Sequence, residues 1–112
     1  MELPKNAKVL RVFVGEQDRY EGAPLHEAIL DLAMKDKLAG ATVFRGVSGF
    51  GCSTHIHTSK ILSMSEDLPM VVEVVDSEEK INAFLTKIDG MIESGLIIIE
   101  SAQVLIYRGK HS

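Results

Sequence analysis

The chain has 112 residues, 46% of them hydrophobic and 25% charged, with a formal net charge of −4. That size fits one domain with one modest core, in which about two-thirds of the unfolded surface is buried. An acidic balance with no block of like charges argues against nucleic acid as the main partner, and no apolar run approaches the roughly 20 residues that span a bilayer, so no direct membrane insertion is expected.

Residues 8–14, KVLRVFV, are rich in β-branched side chains and predict a strand. Residues 15–22 read as a polar loop. A helix begins near Pro24, a residue favoured in a first helical turn. Leu25, Ala28, Ile29, Leu32 and Ala33 follow at helical spacing, Leu38 extends the stripe and Gly40 supplies the stop. Residues 42–47 predict a second strand. Residues 53–64 read as the returning arm of a hairpin with its tip near Cys52, and residues 65–69 as a turn. Residues 70–75, MVVEVV, predict a third strand. Asp76 is the expected N-cap of a second helix, with Glu79 three residues on in a capping-box variant. The stripe of that helix is Ile81, Phe84, Leu85, Ile88 and Ile92. Gly90 within it costs about 1 kcal/mol relative to alanine and bends or ends the helix. Beyond Gly95, residues 96–100 and 104–107 are too apolar for a loop and complete the pattern.

The order β-α-β-β-α-β is the ferredoxin-like α+β plan. Two right-handed crossovers place both helices on one face of an antiparallel sheet. A strand covered on one side alternates apolar with polar residues. Residues 70–75 and 96–99 are instead nearly apolar throughout, so the second face is expected to be buried in a homo-oligomer, an isologous dimer or a closed trimer.

Several short segments then take on meaning together: Gly15-Glu16, Gly22-Ala23-Pro24-Leu25-His26-Glu27-Ala28-Ile29, Leu38-Ala39-Gly40-Ala41-Thr42-Val43, Arg45-Gly46, Gly49-Phe50-Gly51, Ile56-His57-Thr58 and Ser65-Glu66-Asp67-Leu68-Pro69. In combination they resemble the PII-like family catalogued as domain of unknown function one-ninety, over about residues 8–107. The resemblance implies one PII-like domain across residues 1–112, assembled as a homotrimer and acting as a regulatory protein rather than an enzyme. It implies a small ligand in clefts between subunits, with an adenine nucleotide as one candidate. It also implies a long loop, here residues 50–67, that is read by a partner protein. A membrane transporter or another regulated protein is a candidate partner, and the family's frequent encoding near fluoride exporters implies an ion-stress context. Two features depart from the PII pattern. The turn before the last strand is Glu93-Ser94-Gly95-Leu96, acidic and without lysine, and no tyrosine lies between Phe50 and Asp67.

Three clusters carry candidate chemistry. Gly49, Phe50 and Gly51 offer backbone N–H groups to an anion, with Arg45, Lys60, Arg108 or Lys110 as sources of positive charge. The same glycines also suit a bulged or tightly packed strand end. No Gly-Lys-Ser/Thr follows them, so this is not a P-loop. His55, His57 and Thr58 are the expected link between ligand and loop through hydrogen bonds. Cys52, His55 and His57 are also plausible zinc or copper ligands, which leaves a divalent metal-binding stress or cation-tolerance protein as an alternative. Glu16 with Asp18, and Glu66 with Asp67, are paired loop carboxylates, and Cys52 near His55 invites a nucleophile–base reading. These keep a small ferredoxin-like enzyme as the other alternative, although nothing in the spacing fixes a catalytic geometry. His26 reads as a packing residue and His111 as part of a tail. No cofactor is called for. The single cysteine and the absence of an apolar leader in residues 1–5 suit a cytoplasmic protein.

Overall fold

A computed structural model of the chain describes residues 3–51 and 67–109. Its elements are β1 (Asn6–Gly15), β2 (Arg19–Tyr20), β3 (Ala23–Pro24), α1 (Leu25–Lys35), β4 (Gly40–Arg45), β5 (Pro69–Asp76), α2 (Glu78–Asp89) and β6 (Leu96–Gln103). The main sheet has the order β4-β5-β1-β6, and every neighbouring pair is antiparallel. This is the expected ferredoxin-like α+β architecture, with both helices on one face.

Period-two alternation decides which face is core. Leu10, Val12 and Val14 of β1 and Met70, Val72 and Val74 of β5 are buried. Leu25, Ile29 and Ala33 of α1 and Ile81, Phe84 and Ile88 of α2 close over them in one cluster. Each fully buried aliphatic or aromatic side chain contributes about 2 kcal/mol by leaving water, so this layer holds the sheet and helices together.

Direct register partners in an antiparallel ladder share a face. Val9, Arg11 and Phe13 stand opposite Val75, Glu73 and Val71 on one side and Glu100, Ile98 and Leu96 on the other. Thr42 and Phe44 continue the row on β4. No described helix covers this second face, and Phe44 and Leu96 on it are 50% and 52% exposed.

The structure corrects several local expectations. Residues 15–22 are not a plain loop but include β2 and the tip of a β2–β3 hairpin that runs on to Pro24. Glu21 and Gly22 at its tip have φ of 50° and 85°. Two positive-φ residues give a two-residue turn whose twist matches antiparallel strands. Helix α1 ends at Lys35 rather than at Gly40. Lys37 takes φ 57° and the Leu38 N–H donates to the Ala33 carbonyl at 3.1 Å, which closes the helix early and leaves Gly40 to begin β4. Strand β4 ends at Arg45 instead of Val47. Ser77, not Asp76, caps α2, its side chain accepting from the Lys80 N–H at 3.2 Å. Helix α2 ends at Asp89, so Ile92 packs against the core from outside the helix. Strand β6 stops at Gln103. Residues 104–107 are therefore not a strand but an irregular tail, held by Val104 N–H to the Lys5 carbonyl at 2.7 Å and Tyr107 O–H to the Ala39 carbonyl at 2.8 Å. The expected returning arm at 53–64 and its Cys52 tip lie outside the described residues.

Candidate functional site

Gly15, Arg45 and Pro69 sit at one end of the sheet, where the chain leaves β4 for residues 46–51. The Gly46 N–H donates to the Pro69 carbonyl at 2.7 Å, carrying the ladder one residue past the strand. A Cβ at Gly46 would lie 2.9 Å from the Pro69 ring, and one at Gly49 would lie 3.1 Å from it. Gly49 also has φ 152°, which side chains rarely adopt. Close packing on Pro69 therefore accounts for these two glycines. Gly51 differs, since among the described residues a Cβ there meets nothing within 4 Å. Phe50 is 73% exposed. Among the described residues, Phe50 and Gly51 are thus the members of the predicted cluster not packed on Pro69.

The neighbouring charges are engaged. Arg45 donates to Glu16 through Nε at 3.0 Å and Nη2 at 3.2 Å, a two-pronged ion pair. Asp67 accepts from the Gln17 N–H at 2.7 Å, and Asp18 from the Gly15 N–H at 2.8 Å. The Glu16 N–H donates to the Leu68 carbonyl at 2.8 Å. The turn after β1 therefore holds both β4's last residue and the approach to β5. Glu16, Asp18 and Asp67 act here as turn and ion-pair formers.

Arg108 is exposed in the tail beyond Tyr107, which is anchored at Ala39, just before β4 begins. Gly49 and Gly51 follow the other end of β4, and a six-residue strand spans about 20 Å. The structure does not bring Arg108 to the glycine segment within one chain. Cys52, His55, His57, Thr58, Lys60, Glu66, Lys110 and His111 lie outside the described residues. Among the described residues no group of three or more His, Cys, Asp or Glu is placed to hold a metal ion. His26 on α1 has a buried Nδ1 with no hydrogen-bond partner among the described residues. No described helix is long and apolar enough to cross a membrane.

Two features were missed from the sequence. A cleft of about 390 Å³ opens between the β2–β3 hairpin and the α2–β6 connection, lined among others by Asp18, Arg19, Tyr20, Met91 and Glu93. The Glu21-Gly22 pair between two short segments was its available signal. The other is an ion cluster near the centre of the open sheet face. Arg11 donates through Nε to Glu73 at 2.9 Å and through Nη1 to Glu100. The bond to Glu100, then that to Glu73, pushes the Arg11 pKa further above its ordinary value, so the guanidinium stays charged.

Known proteins bear on this geometry. A family model described as DUF190, uncharacterized ACR, matches residues 7–104. A UPF0166 protein of Aquifex aeolicus is 41% identical over 98 residues, covering 88% of this chain and 92% of that protein. Among solved structures, CPII from Thiomonas intermedia, bound to ADP and bicarbonate, has a TM-score of 0.64 at 20% identity, covering 88% of each chain. A putative PII-like signaling protein from Thermus thermophilus has a TM-score of 0.64 at 16% identity, covering 93% of each chain. At these identities the two structures establish a shared fold.

Proposed function

The chain belongs to the DUF190 family, and on that premise we propose that it is a cytoplasmic, PII-like homotrimeric sensor rather than an enzyme. A small ligand, an adenine nucleotide in the first instance, occupies a cleft between subunits beside Gly49, Phe50 and Gly51. The observation that carries this reading is the Phe50-Gly51 segment, not packed on Pro69, leaving the edge strand of a fold shared with an ADP-bound protein. Because Arg45 is paired with Glu16, backbone N–H groups meet much of the ligand's charge. Arg108 contributes from a neighbouring copy, since its own chain holds it far from this end. His55, His57 and Thr58 couple occupancy to the 50–67 loop, which a membrane transporter or another regulated protein reads. The ligand shifts the loop only to the extent that it binds its two states unequally.

The test is a thermal-shift series on metal-stripped protein with ADP, ATP, AMP, cyclic dinucleotides, zinc and copper. A ligand that binds the folded form raises Tm by mass action. The expected result is a rise with an adenine nucleotide that is lost in Gly51→Val, whose ligand-free Tm stays unchanged because no described residue lies within 4 Å of the added Cβ. No rise with any nucleotide overturns the ligand class. A zinc or copper response lost in His55→Ala/His57→Ala replaces the sensor with the metal-binding alternative.

A further inference from the structure

The Arg11 cluster sets a chemical condition on whatever covers the open sheet face. A guanidinium carries five N–H donors. Arg11 uses one on Glu73 and one on Glu100, and the other three have no partner among the described residues. Both carboxylates also keep acceptor positions, and two anions against one cation leave a negative surplus. Around this centre the face is apolar, with Val9, Phe13, Val71, Val75, Leu96 and Ile98 as its nearest rows.

An apolar partner laid over the centre would strand those donors and the surplus charge away from water, which is costly. A partner bearing the same cluster within the same apolar surround satisfies it. The unused Arg11 donors meet carboxylate oxygens of the next copy, and the same bond repeats at each interface around the three-fold axis. A chain that carries both the donor and the acceptor can close such a ring with one bond per interface. Glu100 is the carboxylate positioned for the exchange, since it lies on the edge strand β6 and its side chain is 59% exposed against 28% for Glu73.

We infer that Arg11, Glu73 and Glu100 form the polar centre that sets the register of self-association, with Arg11 of one copy bonded to Glu100 of the next. This rests on the self-association in the reading above and names the side chains that specify it. Side chains repeat every two residues along a strand, so a wholly apolar face tolerates slips that keep the same face inward. One polar centre removes those alternatives, because any slipped arrangement buries it against hydrocarbon.

Sedimentation velocity of the full chain across a concentration series tests the inference. The set is the native protein, Glu100→Gln, Arg11→Met and the triple Arg11→Met/Glu73→Leu/Glu100→Met, with circular dichroism on each to confirm folding. The native protein should show one stoichiometry. Glu100→Gln, nearly isosteric at an exposed position, should weaken association about tenfold or more, the loss expected for a charge-assisted hydrogen bond. The triple variant should still associate, now as a mixture of stoichiometries. A native protein that is monomeric at every concentration overturns both the assembly and this inference. A native oligomer whose affinity and stoichiometry are unchanged by Glu100→Gln and Arg11→Met overturns the inference and leaves the assembly standing.

Discussion

Asp76 holds Ala39 across the end of the sheet: its Oδ2 accepts the Ala39 backbone N–H at 2.8 Å, while Oδ1 accepts from the Ser77 N–H at 2.6 Å. Asp76 is only 3% exposed. The Ala39 carbonyl is taken by the Tyr107 hydroxyl, so one residue between α1 and β4 is fixed at both its N–H and its C=O. Replacing Asp76 with alanine removes the acceptor from two backbone donors. The expected loss is about 2–4 kcal/mol in urea unfolding, with Asp76→Asn losing clearly less because it keeps one acceptor oxygen.

Tyr107→Phe should act differently although it touches the same residue. The hydroxyl bond is exposed and its partner gains water when it is lost, so global stability should stay within about 1 kcal/mol. Amide exchange in residues 105–109 should accelerate, and hydrogen-exchange mass spectrometry reads this directly.

Two glycines flanking the α2–β6 connection should give opposite results. A Cβ at Gly95 would stand 2.7 Å from the Phe13 backbone carbonyl, with no flexible atom to yield. Gly95→Ala should cost about 2 kcal/mol or more through backbone displacement. Gly90 has φ −76° and no described residue within 4 Å of an added Cβ, so Gly90→Ala should be neutral or stabilise by up to about 1 kcal/mol. Equal effects in the two variants would contradict the packing described.

The Arg45–Glu16 pair is exposed at Arg45 and should contribute little to stability despite its two-pronged geometry. A double-mutant cycle with Arg45→Ala and Glu16→Ala should give a coupling below about 1 kcal/mol that shrinks further in concentrated salt.

The element order was legible because it depends on periodicity, which tertiary context rarely reverses over six or more residues. Phe84 and Ile88 were identifiable as core from helical spacing, whereas the buried face of β1 and β5, with Val12 and Val72, was not, because residues 70–75 are nearly apolar on both faces. Boundaries were less legible because they depend on single residues. Lys37 adopts positive φ without being glycine, so Gly40 looked like the stop. Asp76 has the chemistry of a cap, yet burial beside Ala39 assigns it to a tertiary bond and leaves the cap to Ser77. In the candidate site, the glycine density of residues 46–51 was visible. Which glycines serve packing was not, because Pro69 approaches them only after β5 pairs with β4. The Arg11–Glu73–Glu100 cluster was invisible for the same reason, its members being joined by register across three strands.

Sheet order also carries a consequence for synthesis of the chain. Strand β1 emerges first, yet it lies in the interior of the sheet and both its neighbours, β5 and β6, come from the second half of the sequence. Once residue 45 has left the ribosome, the two main-sheet strands then available, β1 and β4, are not neighbours in the finished protein. The first half therefore emerges with two unpaired apolar strands and no native way to pair them. The sheet closes only when residue 103 is free, which favours late, cooperative folding and makes the nascent first half a natural client for chaperones that shield strand edges.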